Sequence, residues 1–204
     1  VPRPPATVDI QADDASVMTA DHWVGEILAR LRELGLEDKT VVAFTADHGE
    51  ELLDHGLLGH GHTIYEELVR VPLILAGPGV ARGARSDALV SNRHVFETLA
   101  RAAGATTSIA DAVDLARPDA IAPQTVTYST LNGWWNGPGP GLSILGIEEG
   151  GWALQYAPRG LPWGVPRNTE PGEGQVRLFD VAHDPHEHVD VAAAHPDVVA
   201  ALKE

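Results

Sequence analysis

The sequence contains no cysteine among its 204 residues. That removes disulfides, a thiol nucleophile and thiolate metal sites in one step, and it leaves the redox compartment open. Basic residues are scarce as well. Fourteen Lys and Arg stand against 29 Asp and Glu, a formal charge of −15. A nucleic-acid-binding surface is basic, so that partner is excluded, and an anionic membrane patch is disfavoured. The acidic excess by itself implies only solubility. Long hydrophobic runs are also missing: the longest lies near Val71–Ala76, far short of the roughly 20 residues of a membrane-spanning helix. No leader segment is legible. The chain opens on Val1-Pro2-Arg3-Pro4-Pro5 rather than on Met, so localisation stays open between periplasmic or secreted and cytoplasmic. What is present is an apolar fraction of 44%, enough for a globular core.

After a Pro-rich lead-in over residues 1–7, the pattern turns helical from about Asp14 to Leu34. Val17, Val24, Ile27, Leu28, Leu31 and Leu34 recur at spacings of three, four and seven, one face of a helix. Glu26 and Arg30 form an i,i+4 pair, and Gly35 is placed to close the helix. Val41-Val42-Ala43-Phe44 then reads as a buried parallel strand. Helix, short turn and buried strand together make half of an α/β repeat.

Asp47-His48-Gly49 follows where that strand ends. In open α/β sheets, chemistry collects outside the carboxyl ends of the strands. An Asp and a His side by side there can ligate one metal, with hard oxygen from Asp47 and nitrogen from neutral His48. Gly49 permits a sharp turn. Glu50 and Glu51 read as the cap of a following short helix. His55, His60 and His62 lie within one loop, without the HExxH spacing of a zinc protease. His55 leans to a structural role. Arg70-Val71-Pro72-Leu73-Ile74-Leu75 reads as a second strand entered through Pro72, with Arg70 holding the loop by a salt bridge.

The stretch TADHGEELLDHGLLGHGHTIYEELVRVPLIL, Thr45 to Leu75, resembles the second half of the sulfatases, within the alkaline-phosphatase-like superfamily. That family's pattern is a strand, T/S-D-H/N-G, a loop bearing Lys or His, then Y-E-E and R-V-P-L-I. Asp47, His48, Gly49, His62, Tyr65, Glu66, Arg70, Val71 and Pro72 match it in order. Asp21 to Leu28 fits the helix that precedes the D-H-G strand, and Leu178 to Glu187 resembles the family's L-Y/F-D-L-x-x-D-P-x-E tail. In place of the usual D-L-A-P-T-L-L, this chain has His94-Val95-Phe96-Glu97-Thr98-Leu99-Ala100, a departure that touches no ligand.

The resemblance implies a metal-dependent sulfuric ester hydrolase. Asp47 and His48 would be metal ligands. His62, or His60 one step away in register, would face the substrate, bind an ester oxygen and help the leaving group. The implied cofactor is one divalent metal, calcium from the resemblance and zinc or manganese as alternatives, because calcium prefers oxygen ligands. The implied substrate is a small-molecule or glycan sulfate ester. The expected fold class is α/β: a portion of an alkaline-phosphatase-like parallel sheet sandwich over residues 1–124, then a small C-terminal antiparallel sheet with a helix over 125–204. Val126–Ser129, Ser143–Ile147, Trp152–Tyr156 and Gln175–Asp180 are its strands, and Pro196 starts the helix. The Gly/Pro loop around Trp134-Trp135 reads as a surface loop, with a substrate-side lip as the alternative. His183, His186 and His188 read as a solvated turn.

The family's nucleophile, a formylglycine made from C/S-x-P-x-R, has no counterpart here: cysteine is absent and no serine stands in that context. The expectation is a C-terminal part of a longer enzyme, inactive alone and completed by an N-terminal half. Two alternatives stand beside it: a phosphate or phosphonate ester hydrolase or phospho-group transferase of the same superfamily, and a non-catalytic sulfatase-like module.

Overall fold

The computed structural model describes residues 10–61, 63–106, 113–121, 126–132, 142–157 and 175–204. The chain divides into two compact units. The first comprises Val1–Thr45, Leu73–Ser86 and Asn92–Ile121. Its helix α1 spans Ile10–Glu33 and ends in a left-handed residue, Gly35, with φ +65°. The Leu36 N–H donates to the Leu31 carbonyl at 3.0 Å and the Gly35 N–H to that of Arg32 at 3.0 Å. This is the Schellman closure, which satisfies two otherwise orphaned carbonyls. Arg30 pairs forward with Glu33 at 2.9 Å. Most of the α1 stripe expected to face a core is open to solvent: Val17 is 69% and Ile27 61% exposed, while Val24 and Leu31 are half-buried.

Strands β1 (Val42–Thr45) and β4 (Leu73–Ala76) pair in this unit with Phe44 opposite Ile74. The pairing is antiparallel, which corrects the expectation of a parallel strand at this position. A parallel pair needs a crossover that packs back on the sheet, usually through a helix. Here the intervening residues 46–72 belong to the other unit, and their one helix is four residues long. Nor is the strand buried, since Phe44 and Ile74 are exposed. On helix α3 (Arg93–Ala102), Phe96 is exposed, while His94, Glu97 and Thr98 are buried. The reason is polar. The Val113 N–H donates to His94 Nδ1 at 3.3 Å, and the Leu115 N–H donates to Thr98 Oγ1 at 3.0 Å. The inner face of α3 thus binds the backbone of the segment that follows it. Burial, then the neighbouring Arg93, lowers the His94 pKa, in keeping with a neutral ring that accepts at Nδ1.

The second unit comprises Ala46–Pro72, Asp87–Ser91 and Ala122–Glu204. It holds a four-stranded antiparallel meander, β5 (Val126–Asn132), β6 (Leu142–Glu149), β7 (Trp152–Ala157) and β8 (Gln175–Asp180). These are the four strands the alternation predicts, each extended or matched at its ends. Helix α4 (Pro196–Leu202) starts with Pro at its first turn, where the missing N–H costs nothing. Leu154, Leu178 and Phe179 are buried in this sheet, and Ile64, Tyr65 and Leu68 are buried within residues 46–72 of the same unit. Tyr65 meets Phe179 edge to face at 6.0 Å. Strands β2 (Glu51–Leu52) and β3 (Leu58–Gly59) form a short hairpin, with Glu51 opposite Gly59. Among the described residues, no helix is long and apolar enough to cross a membrane.

Candidate functional site

The Asp-His-Gly turn belongs to the second unit, and Gly49 fixes its path. The Gly49 N–H donates to the Leu68 carbonyl at 2.8 Å. A Cβ at this position would collide with the carbonyl of Glu67, so only glycine allows the approach. The turn is thereby pinned to α2 (Glu66–Val69), the helix built by the Y-E-E run.

Asp47 and His48 meet directly. Asp47 Oδ1 accepts the His48 backbone N–H at 3.1 Å, and Oδ2 lies 3.7 Å from His48 Nε2. His48 Nδ1 lies 2.8 Å from the Gly49 carbonyl oxygen. A carbonyl only accepts, so Nδ1 carries a proton, and Nε2 is the nitrogen left to serve as a ligand. A backbone carbonyl holding one ring N–H is the usual support of a metal-ligating imidazole. Two donors on one ion at about 2.0–2.2 Å stand about 3–3.5 Å apart. Asp47 Oδ2 and His48 Nε2 are near that spacing, so the pair fits one edge of a divalent shell. An oxygen and a nitrogen suit a divalent cation, and the imidazole leans away from calcium's preference for oxygen ligands.

The ring of His60 lies against that of His48, centroids 4.1 Å apart and 30° from parallel. His60 Nδ1 is 2.9 Å from Glu50 Oε2. His48, Glu50 and His60 each offer one ligand atom, all within 4.8 Å of one another at exposed positions. His62 lies outside the described residues, as does the Trp134-Trp135 loop. Glu50 is the residue that sequence reasoning missed. Glu50 and Glu51 cap no helix; Glu51 opens β2, buried, and accepts from Thr63 Oγ1 at 3.1 Å. The signal for a hairpin was present in Leu52-Leu53-Asp54-His55-Gly56-Leu57-Leu58, two apolar pairs around an Asp-His-Gly turn.

His55 serves the architecture. Its ring stacks on Tyr65 at 3.6 Å, its Nδ1 lies 2.7 Å from Glu67 Oε1, and its Nε2 lies 3.2 Å from the Glu187 carbonyl oxygen. Both nitrogens face acceptors, which calls for a doubly protonated ring. Burial lowers its pKa, but the Glu67 hydrogen bond and charge, the Glu187 carbonyl and Glu51 outweigh that, and the net shift is upward. His55, Glu51 and Glu67 also cluster closely enough for a metal, yet an imidazole donating from both nitrogens has no lone pair to offer. Glu187, buried at φ +55°, accepts the Glu66 N–H at 3.2 Å and Gln155 Nε2 at 3.3 Å. Desolvation pushes its carboxyl up to about 8, helped by Glu67 and Glu148 and opposed by the Glu66 N–H and His55. The tail motif thus ties the C-terminal segment to the Y-E-E helix. Arg70 pairs with Glu66 at 2.9 Å, the expected salt bridge. In the tail, His183 pairs with Asp180 at 2.9 Å and His186 lies 3.5 Å from Glu66, both largely exposed.

Residues 6–105 match the sulfatase family model. Arylsulfatase K from Bos taurus is 28% identical over 184 residues, 89% of this chain and 33% of that protein. Solved structures share the fold. A sulfatase candidate from Bacteroides fragilis superposes with TM-score 0.74 at 20% identity, covering 98% of this chain and 43% of that one. A phosphonate monoester hydrolase from Silicibacter pomeroyi gives TM-score 0.68 at 26% identity, covering 90% and 37%. The fold is that of the alkaline-phosphatase-like hydrolases, and the α/β class expected from the sequence holds. Residues 6–105 thus carry the sulfatase family pattern, the chain as a whole is similar to sulfatases, and it spans about a third of the length of the curated relative it matches over most of its own.

Proposed function

We propose that this chain supplies one side of the active site of a metal-dependent sulfuric ester hydrolase. The observation that carries the reading is the meeting of Asp47 and His48 beside the His60 ring, on a turn that only glycine can make. Asp47 and His48 hold a divalent cation, and the donor set favours zinc or manganese over the calcium that the family resemblance implies. When bound, that cation neutralises charge on the ester oxygens. His62, with His60 as the alternative, donates to the ester oxygen and assists departure of the alcohol. Glu67, His55 and Glu187 touch no reacting atom in this scheme. They hold α2, and through it Gly49, in place.

The nucleophile comes from a polypeptide segment with the C/S-x-P-x-R context, the N-terminal half of the same enzyme. Two observations support that partner: the one-third coverage of the arylsulfatase relative and the open apolar faces of α1 and the β1–β4 pair. The substrate class is a small-molecule or glycan sulfate ester. A phosphonate or phosphate monoester is the second reading, favoured by the 26% identity to the Silicibacter enzyme.

The test compares aryl sulfates, aryl phosphates and aryl phosphonates with zinc, manganese or calcium, for residues 1–204 alone and for the enzyme with its upstream segment. The expected result is no turnover by residues 1–204 and metal-dependent turnover, fastest on aryl sulfate, by the complete enzyme. Reproducible metal-dependent hydrolysis by residues 1–204 overturns the need for a second segment. Preference for the phosphonate moves the assignment to the second reading.

A further inference from the structure

The β2–β3 hairpin does more than shape the loop. Its register sets Glu51 opposite Gly59. One step further out, the same antiparallel register sets Glu50 opposite His60, and directly opposed side chains have Cβ atoms about 4.5–5.5 Å apart. The hydrogen bond from His60 Nδ1 to Glu50 Oε2 at 2.9 Å follows from that placement. Gly59 stands at φ +93°, a conformation that favours glycine, and a Cβ there would meet Glu50 Oε1 at 3.6 Å in ordinary contact. His48 then closes the group from the Asp-His-Gly turn, its ring 4.1 Å from that of His60.

We infer that His48, Glu50 and His60 form a capture site for a zinc-class divalent cation, one distinct from the Asp47 edge in all but the shared His48. Two imidazoles and one carboxylate suit Zn²⁺, Co²⁺ or Ni²⁺ and select against Ca²⁺ and Mg²⁺. The three ligand atoms lie within 4.8 Å of one another on exposed residues, so ligation needs side-chain rotation and no backbone change. The Gly49 carbonyl holds the His48 Nδ1 proton and leaves Nε2 to serve as a ligand, the second-shell support such a ligand requires. Because His48 has one nitrogen left to serve as a ligand, a cation held by Glu50 and His60 withdraws His48 from Asp47. The two arrangements are therefore mutually exclusive at His48: a cation seated on Glu50 and His60 competes with one seated on Asp47. That consequence rests on the proposed role of Asp47; the capture itself does not.

Cobalt(II), titrated into the purified protein and followed by its visible absorption and by calorimetry, is the probe. The expected result is one equivalent bound, not displaced by excess Ca²⁺. His60→Ala and Glu50→Gln should each weaken binding by at least about tenfold. Both side chains are exposed, so the fold tolerates these changes. Asp47→Asn should leave cobalt affinity within about twofold, since its carboxylate is outside the triad. Unchanged affinity in both His60→Ala and Glu50→Gln overturns the site. So does loss that follows Asp47→Asn as strongly as His60→Ala, or binding that follows His186→Ala in the tail. An enzyme that proves inactive on sulfate esters yet binds cobalt in this pattern leaves the capture site standing and removes only its regulatory consequence.

Discussion

The two units solve the problem of apolar surface in opposite ways. In the second, the meander β5–β8 buries Leu178 and Phe179 to 0% and 2% exposure, and Ile64, Tyr65 and Leu68 are buried in the same unit. In the first, Trp23 and Ile27 on α1, Ile74 on β4 and Phe96 on α3 stay more than half exposed. What is buried on α3 is a polar face, held by backbone hydrogen bonds. The candidate site lies on the unit that closes its own core, so its geometry is fixed locally: Gly49 against α2, and His55 and Glu187 behind it.

The comparison predicts unequal costs for like changes. Phe179→Ala removes a fully buried ring from the meander and should cost about 3–5 kcal/mol of stability in chemical denaturation. A loss below about 1 kcal/mol there would mean that the second unit is not a close-packed core.

Next in size is a pH effect confined to the same unit. The Glu187 carboxyl is pushed up to about 8 from an ordinary value of 4.5. Between those values the folded state binds more protons than the unfolded one, so stability falls as pH rises through that window. His55, whose pKa is also raised, acts in the same sense: its contribution is present below its unfolded value and lost as pH rises through the folded one. Glu187→Gln keeps the acceptor for the Glu66 N–H and removes the titration. It should flatten the decline by about 1–3 kcal/mol between pH 5 and 8.5. A decline as steep in Glu187→Gln as in the parent chain would remove Glu187 from the account.

The smallest effect is the counterpart of the largest. Phe96→Ala in the first unit should change stability by no more than about 0.5 kcal/mol in this chain, because its ring is 62% exposed. A cost approaching that of Phe179→Ala would show the first unit to be as well closed as the second, and the comparison would collapse.

Much of this was legible in the sequence because it is local. The α1 helix, the Gly35 stop, four alternating strands and Pro196 are set by period and turn chemistry within a few residues; the exposure of the α1 stripe is not. The Asp-His-Gly turn was legible as a motif. What was not legible depends on partners distant in sequence. The antiparallel return of β4 onto β1 is decided by where residues 46–72 pack. The burial of His94, Glu97 and Thr98 is decided by residues 113–115. Glu50 entered the site through a hairpin with strands of two residues, too short for alternation to register. His55 read as structural, but its partner Glu187 stands 132 residues away, beyond the reach of any local pattern.

The central claim is that Asp47 holds a cation while a loop histidine acts on the ester. Metal content and turnover, measured together on the complete enzyme carrying Asp47→Asn or His62→Ala, test it most directly, with His60→Ala as the register control. The account predicts that Asp47→Asn loses metal and regains part of its rate at high metal concentration. His62→Ala should keep its metal, lose about 10²–10³ in turnover and gain nothing from added metal. An Asp47→Asn enzyme with full metal content and full rate would contradict it.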